Sequence, residues 1–132
     1  MNPEENVLEW IKKADEDFDF VVSILPDTTF YAKLCFHLQQ STEKYLKAYI
    51  VKNKLNFKKT HDLTELLQIC SEKEKKFSVL FEECNLLTDY YIDTRYPVHW
   101  PATVAKKEAT EALEAARSVR DFVKKELENL II

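Results

Sequence analysis

The sequence predicts an all-α protein, an up-and-down bundle of four long helices and one short helix. Three observations lead to this prediction. Glycine is absent from all 132 residues, although β-rich folds depend on it for tight turns with positive φ. Apolar residues recur at i, i+3, i+4 and i+7 spacing along most of the chain, as in amphipathic helices. The prolines fall at the start of one such segment or after its end, where they do not break a helix.

The composition limits the class of protein. With 132 residues, 45% hydrophobic and 32% charged, the chain suits one globular domain over residues 1–132 that needs neither metal nor disulfide for stability. A net charge of −4 excludes general attraction to nucleic acid, although a local basic patch remains possible. The three cysteines are spaced like core residues of a cytoplasmic protein. The acidic N-terminus is unlike a signal peptide, and no apolar run reaches the roughly 20 residues of a membrane span.

The first helix is predicted over residues 3 to about 25. Asn2 can cap it, and Pro3 suits its first turn. Pro26 then ends the segment and begins a turn. One apolar stripe runs along this helix and consists of Val7, Trp10, Ile11, Ala14, Phe18, Val21 and Val22.

The second helix is predicted over about residues 28 to 53, with Asp27 or Thr28 as its cap. Apolar residues cover much of its circumference, so we expect it in the middle of the bundle. They are Phe30, Leu34, Cys35, Leu38, Tyr45, Leu46, Ala48, Tyr49 and Ile50.

The short helix and the fourth helix follow a basic loop. Asp62 and Glu65 have the spacing of a capping box at the start of the short helix, and Thr60 is a competing cap. The fourth helix is predicted over about 75 to 95, because residues before Pro97 disfavour helix. Its apolar stripe consists of Phe77, Leu80, Phe81, Cys84, Leu87 and Tyr91.

The last helix, predicted over about 102 to 129, is rich in alanine, and small residues allow close packing against a neighbour. Its inward positions are Val104, Ala105, Ala109, Ala112, Ala116, Val119, Phe122, Val123, Leu127 and Leu130. No internal repeat or domain boundary interrupts the chain.

Arg95 stands out at the end of the fourth helix. At about 100° per residue it lies only ~20° around the axis from Cys84, so a continuous helix would turn it toward the packed side. A guanidinium there needs an acceptor. A carboxylate, the carbonyls of its own helix end and a bound phosphate are all open as partners.

A second polar set lies on helix 2. Four of its side chains fall within an arc of about 80°: His37, Gln40, Lys44 and Lys47. Between residues 43 and 61 there are six lysines and one glutamate. Such a local excess of positive charge suits an anion site, but it is also typical of a solvated helix face.

Two histidines are candidates for acid–base chemistry. His61 stands at a helix start, where it can simply close the turn, and His99 lies between two prolines beside aromatic rings. The chain has no glycine-rich phosphate loop, no HExxH and no paired-cysteine pattern, so we predict neither a metal nor a cofactor.

The stretches "CFHLQQSTEKYLKAYIV", "KKTHDLTELL" and "YYIDTRYP", followed by the alanine-rich last helix, together resemble the HEPN domain. The matching positions are Gln40, Glu43, Lys44, Lys47, Ala48, Thr60, His61, Asp62, Leu63, Arg95, Tyr96 and Pro97. The resemblance implies an all-α bundle that pairs into a homodimer. It also implies a toxin–antitoxin pair in which the partner is a minimal nucleotidyltransferase encoded nearby.

Nuclease members of this family carry an arginine and a histidine with four to six residues between them, and two copies form one metal-independent RNA-cleaving cleft. By that resemblance Arg95 would steady the phosphate, and His99, or less readily His61, would transfer the proton. Here only three residues separate Arg95 from His99. The predicted residues for binding phosphate or nucleotide are His37, Gln40, Lys44, Lys47, His61, Tyr91 and Tyr96. A non-catalytic nucleotide-binding module and a helical adaptor are the alternatives.

Overall fold

The computed structural model describes residues 3–91 and 104–128, with side chains from residue 6 onward. Its five α-helices are α1 (Pro3–Ile24), α2 (Tyr31–Lys52), α3 (Leu63–Lys73), α4 (Phe81–Thr88) and α5 (Lys106–Glu126). Two 3₁₀ turns cover Leu25–Asp27 and Lys75–Leu80. These ranges contain no β-strand, and the predicted all-α bundle is confirmed.

Helix α2 is the centre of the bundle, as its apolar circumference predicts. It packs against each of the other four α-helices. Along α1 it runs antiparallel, because Trp10 lies beside Lys47 while Phe20 lies beside His37. The Ser41 hydroxyl donates a hydrogen bond across this contact to a backbone carbonyl of α1, at 2.8 Å.

The start of α2 differs from the prediction. The helix begins at Tyr31, and neither Asp27 nor Thr28 caps it. Instead the Thr28 hydroxyl accepts a hydrogen bond from the Phe30 N–H at 3.1 Å, which closes a local turn in an extended segment. Phe30, one of the apolar residues assigned to this helix, therefore lies before its first turn and is exposed.

The end of α2 is a Schellman motif formed without glycine. The Leu55 N–H donates to the Ile50 carbonyl at 3.0 Å, and the Lys54 N–H donates to the Val51 carbonyl at 3.2 Å. Lys54 adopts a left-handed backbone conformation with φ of 55°. This turn sends the chain into the loop that leads to His61.

Helix α3 begins as one of the two predicted caps indicates. The Asp62 carboxylate accepts a hydrogen bond from the Thr64 N–H at 2.9 Å, while the Thr60 hydroxyl accepts one from the Asp62 N–H, outside the helix, at 3.1 Å. Glu65 does not close a capping box and instead lies 3.4 Å from the Lys58 ammonium. The Thr88 hydroxyl accepts a bond from the Leu63 N–H at 2.9 Å, which ties the start of α3 to the end of α4.

The prediction of one continuous helix over 75 to 95 is wrong. A 3₁₀ turn precedes α4, and α4 ends at Thr88. Phe77 and Leu80 are buried three residues apart, a spacing that also fits a 3₁₀ turn, whereas Phe81 is exposed. Because α4 does not continue as far as Tyr91, a rotation counted from Cys84 does not determine the direction of Arg95. Arg95 itself lies outside the described residues.

The core otherwise follows the predicted stripes. Most of the predicted alanines of α5 are buried, but Val22 of α1 is exposed.

All three cysteines are buried free thiols. Burial raises the pKa of Cys35 to about 11 and the pKa of Cys70 and Cys84 to about 12. Among the described helices, none is long and apolar enough to cross a membrane.

Candidate polar site at the start of helix α3

A buried carboxylate on α2 organises the candidate site. The Glu43 side chain is only 5% exposed, and a charge in such a position requires partners. The Lys47 ammonium donates to Glu43 Oε2 at 2.8 Å, and His61 Nδ1 lies 2.9 Å from Oε1. The amides of Gln39 and Gln40 approach Oε1 at 3.4 and 3.5 Å. We call these five residues the Glu43 cluster.

His61 is the member of the Glu43 cluster that reaches the surface. Its side chain is 50% exposed. The Gln39 amide donates to the His61 carbonyl at 2.9 Å, and the ring stacks on Tyr91 with centroids 4.0 Å apart and planes 11° apart. Because Glu43 occupies Nδ1, Nε2 is the ring nitrogen left for a ligand. It has no hydrogen-bond partner among the described residues.

Lys47 is placed differently from what its position on a lysine-rich face suggests. Its side chain is 8% exposed. The ammonium lies 5.8 Å from the ring centroid of Trp10 and 5.6 Å from that of Phe57, within the range of cation–π attraction. Lys47 is thus enclosed by two rings and the Glu43 carboxylate.

His37 and Lys44 form a second cluster with a residue of α1. The Asp17 carboxylate lies 3.0 Å from His37 Nδ1 and 2.5 Å from the Lys44 ammonium. The His37 ring packs edge-on against Phe20 and Phe36 at 4.9 and 5.7 Å. We call Asp17, His37 and Lys44 the Asp17 cluster.

A row of rings connects the two clusters. Phe36 lies between His37 and Tyr91, and its centroid is 6.3 Å from that of Tyr91. The structure therefore brings together six predicted site residues: His37, Gln40, Lys44, Lys47, His61 and Tyr91. The remaining three, Arg95, Tyr96 and His99, lie outside the described residues.

Sequence reasoning overlooked six residues that help to build this surface: Trp10, Asp17, Phe20, Phe36, Gln39 and Phe57. Asp17 is the one with a visible signal, since it lies in an acidic run beside the apolar stripe of α1. Its two partners could be found only from the α1–α2 register. Trp10 was assigned to the core stripe, yet it is partly buried at the rim and covers Lys47.

The Glu43 cluster has the chemistry of an oriented imidazole. A carboxylate that accepts the Nδ1 proton fixes the tautomer, and Nε2 can then take or return a proton at the surface. Tyr91 adds an aromatic face on which a base could stack. Within residues 3–91 and 104–128, no group of three or more His, Cys, Asp or Glu is placed to hold a metal ion.

Comparison with known proteins identifies relatives in sequence and in fold. The model of the HEPN domain matches residues 7–127, so the chain belongs to the HEPN family. It is 25% identical, over 128 residues, to the Methanocaldococcus jannaschii protein named "Putative toxin MJ1304". The aligned region covers 87% of this chain and 84% of that protein.

Two solved structures share the fold. TT1696 from Thermus thermophilus superposes with a TM-score of 0.77 and 29% identity, over 95% of this chain and 98% of that chain. ST0689, described as an archaeal HEPN homologue, superposes with a TM-score of 0.71 and 21% identity, over 92% of this chain and 97% of that chain. The second likeness concerns the fold alone.

Proposed function

We propose that this HEPN-family protein is the toxin-type member of a toxin–antitoxin pair and binds RNA through a phosphate and a base at the His61–Tyr91 surface. Its partner would be a minimal nucleotidyltransferase encoded nearby, and its working form a homodimer with a shared cleft. The family match and the similarity to a protein named as a toxin support the pairing. The same chemistry would also accept a free nucleotide.

The position of His61 carries the proposal. A half-exposed imidazole is fixed at Nδ1 by a buried carboxylate and is stacked on a tyrosine at 4.0 Å. This arrangement offers a phosphate oxygen the outward nitrogen, and it offers a base the surrounding rings. A histidine that only closed its turn would need neither the buried Glu43 nor the stacked Tyr91.

Positive charge lies next to this surface. The loop before His61 carries Lys54, Lys58 and Lys59, all exposed. Lys58 is 3.4 Å from Glu65, but both side chains are well exposed, so solvent screens that pair. These lysines would attract a polyanion to an otherwise acidic protein, and binding should weaken steeply with salt.

Arg95 and its neighbours extend the proposal beyond the described surface. Arg95 follows Tyr91 by four residues, and four residues of chain span at most about 14 Å between Cα atoms. From that distance its guanidinium could meet a phosphate bound at His61, with Tyr96 as an additional stacking ring. The roles of Arg95, Tyr96 and His99 rest on the resemblance to the family.

Tyr91→Ala tests the binding function. Loss of one stacking ring should weaken RNA binding by roughly 5- to 150-fold, since stacking contributes ~1–3 kcal/mol per base. The measurement is fluorescence anisotropy with a labelled single-stranded RNA in EDTA, over a salt series. Phe81→Ala is the matched control, because Phe81 is an exposed ring at the opposite end of α4. Wild-type protein that binds neither RNA nor nucleotides would contradict the proposal.

Metal-independent RNA cleavage is a second candidate function, and the orientation of His61 by Glu43 favours it. A histidine whose Nδ1–H is bonded to a carboxylate can use Nε2 as a base toward a ribose 2′-hydroxyl. General acid–base help of this kind contributes about 10²–10⁴-fold to a rate. The proposed histidine is then His61 or His99.

RNA cleavage in EDTA, with and without the neighbouring nucleotidyltransferase, tests this activity. If His61 is the acid–base group, His61→Ala should lower the rate by about 10²-fold or more, while His99→Ala leaves most of it. The reverse result would assign the role to His99. Full activity in both variants would mean that neither histidine takes part in the reaction. A solution mass equal to that of a monomer would exclude the shared cleft.

A further inference from the structure

The geometry points to Lys47 as a positioning residue: by keeping Glu43 ionised, it decides which nitrogen of His61 carries the proton at the surface. This inference deepens the proposed function and rests on it for its biological meaning. The structural part stands on the contacts of the Glu43 cluster alone, and it can be tested without RNA.

Every described polar contact of the Glu43 carboxylate comes from a group that can donate. Lys47 approaches Oε2, while His61 and the amides of Gln39 and Gln40 approach Oε1. A carboxylate that meets only donors is an acceptor at each oxygen, which is the role of its ionised form. His61 must then donate from Nδ1, so that the neutral ring presents the lone pair of Nε2 to solvent.

Lys47 is the one full positive charge in this set while His61 is neutral. Its ammonium lies 2.8 Å from Glu43 and about equally far from the rings of Trp10 and Phe57, at 5.8 and 5.6 Å. The rings exclude water from the ammonium and attract it through their faces. Lys47 is therefore committed to Glu43 and is not exposed for direct contact with a phosphate.

The loop that carries His61 is held at two points by this ion pair. Phe57 covers Lys47, and four residues later His61 bonds Glu43. The pair thus fixes both the position of the loop and the proton on the ring. With Met in place of Lys47, the buried Glu43 carboxyl loses the neighbouring charge that favours its ionised form, and in its neutral form it could donate to Nδ1. His61 would then present N–H at Nε2, and a base at the surface would become a donor.

The experiment is ¹⁵N NMR of the histidine rings over a pH series that extends above neutral, because the nitrogen chemical shifts show directly which ring nitrogens carry a proton. A His61→Gln spectrum assigns the His61 signals. In wild type we expect a protonated Nδ1 and an unprotonated Nε2. In Lys47→Met, which keeps the apolar stem, we expect the two nitrogens to exchange these states, and Lys47→Arg should restore the wild-type pattern.

Lys44→Met is the matched control, because Lys44 lies on the same helix and pairs with Asp17. It should leave the His61 tautomer unchanged. An unchanged tautomer in folded Lys47→Met, or a His61 ring protonated at both nitrogens, would overturn the inference, as would the same exchange in Lys44→Met. Because the readout involves no RNA, these results are separate from failure of the proposed function, which the anisotropy experiment detects.

Discussion

The Glu43 cluster and the Asp17 cluster contain the same three kinds of group in different surroundings. In each, one carboxylate accepts from a lysine ammonium and lies within 3.0 Å of a histidine Nδ1. Both lysines belong to α2. The chemistry of the contacts is therefore shared, and burial is what separates them.

The Glu43 cluster is buried more deeply than the Asp17 cluster, and two aromatic rings cover it. Glu43 and Lys47 are 5% and 8% exposed, whereas Asp17 and Lys44 are 15% and 24% exposed. Deeply buried partners depend on each other, because removal of one leaves the other charged and out of water. Partners nearer the solvent can be rehydrated separately. The same set of carboxylate, lysine and histidine can thus fix the position of a proton in the Glu43 cluster and contribute little to stability in the Asp17 cluster.

The largest expected effect is that of Glu43→Ala. It leaves the Lys47 ammonium enclosed by Trp10 and Phe57 without its carboxylate, and it removes the Nδ1 partner of His61. We expect a loss of about 3–5 kcal/mol in the free energy of unfolding, measured by urea denaturation. A loss below about 1 kcal/mol would mean that Lys47 finds water easily, and the contrast between the clusters would disappear.

A smaller effect is expected for Asp62→Ala, which concerns how α3 is fixed next to His61. The hydrogen bond from the Thr64 hydroxyl is the main cause of the lowered pKa of Asp62. Asp62 also caps α3 by accepting from the Thr64 N–H, and loss of this cap should lower the free energy of unfolding by about 1 kcal/mol near pH 7. Because the folded-state pKa is below the unfolded one, the contribution is complete above the ordinary value of about 4 and is lost as the pH falls through the folded value.

Urea denaturation of wild type and Asp62→Ala from pH 7 down to about pH 2 measures this difference, which should shrink toward zero in acid. Asp27→Ala serves as the control, because Asp27 is exposed and caps no helix. A difference that stays constant with pH would show that the ionised cap is not the source of the stabilisation.

The smallest effect is expected for the Asp17–Lys44 pair. A double-mutant cycle of Asp17→Asn and Lys44→Met should give a coupling of about 0.2–1 kcal/mol that declines in 1 M salt. The corresponding cycle of Glu43→Gln and Lys47→Met should give a larger coupling that salt changes little. Equal couplings with equal salt dependence would show that ring cover and burial do not distinguish the clusters.

The sequence predicts the fold because hydrophobic periodicity reports which face of each helix is buried. The central place of α2, the buried cysteines and the alanine face of α5 all follow from that pattern. The break before α4 does not, because Phe77 and Leu80 suit a 3₁₀ turn as well as an α-helix. Helix ends depend on local bonds such as that of Thr88, which periodicity does not report.

The candidate site is predictable in its residue types but not in their pairings. The grouping of His37, Lys44 and Lys47 on α2 is visible from helical spacing. Asp17 joins two of these only through the antiparallel register of α1 and α2, which the spacing within one helix does not determine. Lysine is a surface residue by default, and Lys47 is buried only because rings from two other segments cover it.

Lys54 has a consequence for engineering this protein. A side chain with a Cβ is strained by about 1–2 kcal/mol in the left-handed conformation, and the Schellman bonds at the end of α2 keep it there. Glycine at this position would relieve that strain, yet it would also widen the choice of directions in which the loop can leave the helix. A gain in thermal stability could therefore be accompanied by a less well-defined orientation of the His61 ring.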